Sequence, residues 1–91
     1  MEVHLSKEAK RNLNKTPLHI SIKLNSWVNS LRVNGINYTR QLKGFHDEPL
    51  KGPKKGRRSI RLLLKWRAEY VLTISNNIEI VLIERIHPHA Y

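Results

Sequence analysis

The period of the apolar positions changes along the chain and divides it in two. Val3 and Leu5 flank a polar residue, which predicts a short strand over residues 3–5. Ser6 follows as an N-cap, its hydroxyl able to accept from a free backbone N–H, with a short helix over residues 7–14. Leu5, Ala9 and Leu13 recur every four residues and form one stripe. Thr16-Pro17 predicts a second cap, because proline at the first helical position loses no hydrogen bond. Ile20, Leu24, Trp27, Val28 and Leu31 then recur at threes and fours, as on a long amphipathic helix. Gly35 can take the left-handed backbone that ends such a helix, and residues 36–42 add a little more.

Residues 43–58 break the pattern. Gly44, Pro49, Gly52, Pro53 and Gly56 fall in a stretch with no periodic apolar face, which predicts a loop. Three strand-like runs follow. In residues 59–64, Ile60, Leu62 and Leu64 alternate with Ser59 and Arg61. In residues 66–74, Trp66, Ala68, Tyr70, Leu72 and Ile74 alternate with Arg67, Glu69 and Thr73. Asn76-Asn77 suits a tight hairpin turn, since asparagine tolerates positive φ. Residues 78–86 are apolar on both faces in the middle, as in a central strand, and Pro88 ends the run. The expected architecture is α+β, a single domain over residues 1–91. An N-terminal strand and two helices pack on one face of a small antiparallel sheet that ends in a three-stranded meander. The other face of that sheet keeps the polar parity.

Composition narrows the function. A chain of 91 residues builds one core. The absence of cysteine excludes disulfides, thiolate nucleophiles and cysteine-based metal sites, and favours the cytoplasm for so small a domain. No apolar run approaches the roughly 18 residues of a membrane span, and Met1-Glu2-Val3-His4 lacks the layout of a signal peptide. Seventeen Lys and Arg against seven Asp and Glu give a net charge of +10, which calls for a polyanionic partner. Most of that charge lies in one stretch: Arg40, Lys43, Lys51, Lys54, Lys55, Arg57, Arg58, Arg61, Lys65 and Arg67, interrupted only by Asp47, Glu48 and the neutral His46. A Gly/Pro loop carrying lysines beside a strand carrying arginines suits a phosphate backbone, since guanidinium forks bind phosphate at two points. Nucleic acid ranks clearly ahead of a membrane as partner, because the long helix needs its apolar face for the core. No helix carries the basic and amide residues that read a major groove, so RNA fits better than DNA.

The last residues, Arg85-Ile86-His87-Pro88-His89-Ala90-Tyr91, add titratable groups. Arg85 shares strand parity with His87. In a normal meander Arg61, Arg67 and Arg85 come from three neighbouring strands and converge on the face the helices leave open. That inventory fits RNA phosphodiester cleavage. The 2′-hydroxyl loses a proton as it attacks, guanidinium groups stabilise the phosphorane charge, and imidazole gives or takes a proton near neutral pH. The chemistry calls for no metal and no cofactor, and His87-x-His89 without a third ligand makes a poor metal pair. The plainer readings are a frayed tail, a packed Tyr91, an Arg67 paired with Glu69 or Glu84, and His46 as a loop residue or a second acid/base.

The succession Gly44-Phe45-His46-Asp47-Glu48-Pro49-Leu50-Lys51-Gly52, Gly56-Arg57-Arg58-Ser59-Ile60-Arg61-Leu62 and Trp66-Arg67-Ala68-Glu69-Tyr70, with a His-rich ending in Tyr, resembles the RelE/HigB toxins of bacterial type II toxin–antitoxin systems. The first half resembles them only in its order of elements. The resemblance implies a metal-independent, ribosome-dependent endoribonuclease that cuts mRNA in the A site and is neutralised by a cognate antitoxin. By motif position Arg67 would stabilise the phosphorane, and Arg61 would accept a proton or hold phosphate. Arg85 and Tyr91 match a terminal Arg/Tyr pair, with Tyr91 stacking on a base or orienting the 2′-hydroxyl. His87 or His89 would be the acid/base. The loop residues His46, Lys51, Lys54, Lys55, Arg57 and Arg58 would grip messenger and ribosomal RNA. A gyrase-inhibiting toxin of the same fold and a non-catalytic RNA-binding domain are the competing expectations.

Overall fold

A computed structural model of the chain describes residues 1–52 and 56–88. The elements are β1 (Glu2–Leu5), α1 (Lys7–Lys15), α2 (Leu18–Arg40), a 3-10 turn (Lys43–Phe45), β2 (Glu48–Pro49), β3 (Arg57–Arg61), β4 (Trp66–Ser75) and β5 (Ile78–Pro88). The strands form one five-stranded sheet in the order β1-β5-β4-β3-β2.

Ser6 starts α1 as expected: its Oγ accepts from the Ala9 N–H at 3.0 Å and donates to the Glu84 carbonyl at 2.7 Å. Thr16 is not the cap of α2. Its hydroxyl turns back to the Asn12 carbonyl at 2.7 Å, closing the last turn of α1, and Pro17 starts α2 without a side-chain cap bond. Along α2, Ile20, Leu24, Trp27 and Leu31 are buried, the face that the threes-and-fours spacing predicts. Gly35, at φ 82° and ψ 176°, breaks the helix in a conformation that side-chain-bearing residues avoid. Helix resumes beyond it, and Ser30 and Thr39 bond through their hydroxyls at 2.7 Å across the break.

The inner sheet face meets α2 in a core centred on Trp27 and Tyr70, whose rings lie 4.9 Å apart at 54°. Ile60, Ala68, Val81, Ile83 and Ile86 fill the rest, and Trp66 packs partly buried against it. Val81, Ile83 and Ile86 cannot share one face of a regular strand, because the last step is three residues. A bulge resolves this. Glu69 pairs with Arg85 and Tyr70 with Ile83, leaving Glu84 as the extra residue in β5.

Three further sequence expectations change. The sheet is not wholly antiparallel, since β1 pairs with β5 in parallel, Glu2 opposite Ile80 through Leu5 opposite Ile83. The chain leaves β1 into the helices and returns through the meander, so β5 arrives running the same way. Beyond Ile83, α1 replaces β1 beside β5: Ser6 N–H donates to the Ile83 carbonyl at 2.9 Å, and Asn12 Oδ1 accepts from the Ile86 N–H at 3.0 Å. The loop over residues 43–58 contains the 3-10 turn and a two-residue strand, with Glu48 opposite Ser59 and Pro49 opposite Arg58. Proline is accommodated there because β2 is an edge. Leu64 does not join the core. β3 ends at Arg61, and Leu64 sits 90% exposed at φ 55° in the turn before β4. At the other end of β4, Asn76 and Asn77 both take positive φ and make the expected hairpin turn.

Candidate active site

The open sheet face carries two adjacent cross-strand rows. One is Glu48, Ser59, Glu69 and Arg85; the next is Arg61, Arg67 and His87. Register places these side chains on one face, because directly paired residues share a side. The bulge at Glu84 turns Arg85 and His87 outward while Ile83 and Ile86 both stay inside.

A carboxylate organises the face. Glu69, only 12% exposed, holds the His87 Nε2 at 2.6 Å and lies 3.9 Å from an Arg85 guanidinium nitrogen. The other His87 nitrogen, Nδ1, faces the Pro88 carbonyl at 3.3 Å. Both ring nitrogens therefore face oxygen atoms. Arg85 is shared with Glu8 of α1, its Nε 3.1 Å from that carboxylate. Arg67, 14% exposed, has a guanidinium nitrogen 3.9 Å from Glu48. Arg57 clasps Glu84 at two points, 2.7 and 3.3 Å. Arg61 is exposed.

Of the residues expected to act in catalysis, Arg61, Arg67, Arg85 and His87 come together here. His89 and Tyr91 lie outside the described residues, as do Lys54 and Lys55. Lys51 is exposed next to β2, and His46 is exposed at φ 47° just after the 3-10 turn. Arg58 lies on the other side of the sheet from Arg57 and Arg61. Its Nε meets Asp47 Oδ1 at 2.6 Å, Tyr70 donates its hydroxyl to Asp47 Oδ2 at 2.5 Å, and Arg40 Nε approaches the Tyr70 oxygen at 3.4 Å. Burial and the hydrogen bond to Asp47 push the Tyr70 phenol up to about 12. For Arg58, burial works downward but the bond and charge of Asp47 outweigh it, holding the guanidinium above its usual value.

The alternation Arg67-Ala68-Glu69 places Glu69 on the arginine face, but nothing in the sequence shows that it binds a histidine eighteen residues away. Glu48 was hidden in the same way, because its strand has only two residues. Among the described residues no group of three or more His, Asp or Glu side chains converges as a metal set, and no helix is long and apolar enough to cross a membrane.

No protein-family model matches the chain, and no curated protein matches it in sequence. Solved structures do match in shape. The YoeB/ParE toxin from Agrobacterium tumefaciens superposes with a TM-score of 0.75 at 18% identity, covering 99% of this chain and 100% of that one. YafQ from E. coli strain BL21(DE3) gives 0.74 at 19% identity, over 96% of this chain and 91% of that one. A chain of the RelB–RelE antitoxin–toxin complex from Methanococcus jannaschii gives 0.68 at 13% identity, over 93% and 88%. Two helices on a five-stranded, mostly antiparallel sheet are thus the fold this chain shares with the RelE-like toxins.

Proposed function

We propose that this chain is an endoribonuclease toxin of the RelE type, acting on mRNA in the ribosomal A site and neutralised by an antitoxin. The observation that carries the reading is the open-face constellation of Arg61, Arg67 and His87 beside Glu48, Glu69 and Arg85. Cations alone bind a phosphate. A carboxylate-held histidine next to them supplies what cleavage needs in addition, a proton donor with a fixed orientation.

In this mechanism Arg67 and Arg61 hold the scissile phosphate and stabilise the charge that builds on its oxygens. Glu48, at the β2 side of the arginines, accepts the 2′-hydroxyl proton as that oxygen attacks phosphorus. His87, at the β5 side, delivers the Nδ1 proton to the departing 5′-oxygen while Glu69 keeps Nε2 engaged. Products are a 2′,3′-cyclic phosphate and a free 5′-hydroxyl, and no metal enters the scheme. Arg85 neutralises Glu69 or a second phosphate oxygen. His89 and Tyr91 are the remaining candidates for acid/base work and base stacking. Lys51, Arg57 and His46 supply further RNA contacts, a role the sequence also gives Lys54 and Lys55. The antitoxin is inferred from the solved complexes of similar folds, RelB–RelE and DinJ–YafQ. A gyrase-inhibiting or purely RNA-binding protein has no use for the Glu69–His87 pair.

The test adds purified protein to mRNA with and without programmed ribosomes and maps new 5′ ends by primer extension. Cuts confined to the A-site codon and to the ribosome-containing reaction are expected. Intact mRNA in both reactions, with folded protein, sinks the reading.

A further inference from the structure

The sequence places most of the positive charge in residues 40–67, yet the fold adds a second cationic wall to the site from α1. A groove of about 280 Å³ runs between this helix and the outer end of β5, lined by Glu8, Arg11, Asn12, Lys15, Arg85 and His87. Residues 8, 11, 12 and 15 recur at threes and fours, so α1 turns one continuous face into it. Arg11 and Lys15 are exposed and have no ion pair among the described residues. Asn12 is half-buried and fixed, because its Oδ1 accepts from the Ile86 N–H at 3.0 Å. Its amide N–H₂ is thereby left to donate elsewhere. The groove opens beside His87, where the proposed reaction releases its 5′-oxygen.

We infer that this groove is a second phosphate subsite, in which Arg11, Lys15 and the Asn12 amide bind a backbone phosphate of RNA adjoining the catalytic face. The inference rests on the reading of the site as RNA-cleaving, and it deepens it. Anionic RNA matches the lining: three guanidinium or ammonium groups outnumber the single carboxylate, and an amide donor sits between them. Glu8 acts against the ligand, since its bond to Arg85 is the one an incoming phosphate displaces. The phosphate belongs either to the strand being cut or to ribosomal RNA, which the same cations recognise alike.

The test is the salt dependence of binding to a 2′-O-methyl RNA oligonucleotide, in which the attacking hydroxyl is blocked and cleavage does not intervene. Each phosphate neutralised on a single strand contributes about 0.7 to the slope of log K against log salt. Arg11 and Lys15 share one phosphate, so the double variant is expected to lower the slope by about 0.7 and each single variant by up to that amount. Arg32→Ala on α2, equal in charge but outside the groove, is expected to leave it unchanged. Glu8→Gln is expected to tighten binding. All four positions are exposed, so thermal melts should coincide with the parent. The same variants titrated against ribosomes separate the sources: slopes that fall with free RNA identify the cut strand, and slopes that fall only with ribosomes identify ribosomal RNA. Slopes unchanged by Arg11→Ala and Lys15→Ala in both titrations overturn the inference, whether or not the parent cuts mRNA. Reduced slopes in a protein that cuts nothing would preserve the groove and remove the nuclease.

Discussion

Two carboxylates lie on opposite faces of the same strands, and each is surrounded by cations and a titratable ring. On the helix side Asp47, with no exposed side-chain surface, accepts from Arg58 at 2.6 Å and Tyr70 at 2.5 Å. On the open side Glu69 accepts from His87 at 2.6 Å, with Arg85 at 3.9 Å. The inventories are similar and the roles are not. Asp47 itself has no exposed surface and both its oxygens are taken by Arg58 and Tyr70, which pins the segment before β2 to the sheet. Around Glu69 the partners still face solvent, so a phosphate can enter and compete for them. Accessibility, more than residue type, separates a structural ion cluster from a chemical one.

This contrast breaks most sharply at Arg67. Arg67→Ala is expected to lower mRNA cleavage by about 10²–10³-fold, the usual effect of removing one group that stabilises transition-state charge. Urea unfolding of the same variant should match the parent; a large loss of stability would move Arg67 to the structural side. Asp47→Ala is the converse. Breaking a buried pair typically costs about 3–5 kcal/mol, and partial exposure of Arg58 trims this to about 2–3 kcal/mol. Urea titration reads that loss, and a variant that stays stable but loses cleavage would reverse the assignment.

Smaller effects sharpen the comparison. Glu69→Gln keeps a hydrogen-bonding side chain but removes the charge that orients the imidazole, and single-turnover cleavage should fall about tenfold with KM unchanged. Tyr70→Phe should cost about 1–2 kcal/mol at neutral pH by leaving Asp47 short of a donor. The phenol, held at about 12, stays protonated in the folded chain above the pH at which the unfolded chain ionises near 10. The parent's stability therefore declines as pH rises from about 10 towards 12, where the variant has no phenol to lose. Urea titrations at pH 9 and pH 11 should show the gap between parent and variant narrowing; a constant gap would mean the phenol is not buried as described.

How much of this was legible depended on distance along the chain. The helix faces, the Gly35 break, the Asn76-Asn77 turn and the shared parity of Arg85 and His87 are local patterns, and the structure carries each of them. The parallel seat of β1, the two-residue β2 and the reversed hydroxyl of Thr16 depend on long-range pairing or on competition between nearby acceptors, which spacing does not encode. Arg58 illustrates the limit. It neighbours Arg57 in the sequence and has the same charge, yet alternation along β3 sends one to Asp47 and the other to Glu84. Glu69 was visible as a parity and invisible as a partner.

The extra residue in β5 gives the site a property that no point substitution reveals. Every position after Glu84 takes its inward or outward sense from that one insertion, so face is a matter of phase. Pairing the same residues without the bulge, with Glu84 opposite Glu69, would shift the remainder of the strand by half a period, carrying His87 towards the core and Ile86 towards solvent. A chain paired that way would keep every functional side chain in its composition and still lose the site. The bulge, more than any one side chain near it, therefore decides which residues the open face presents.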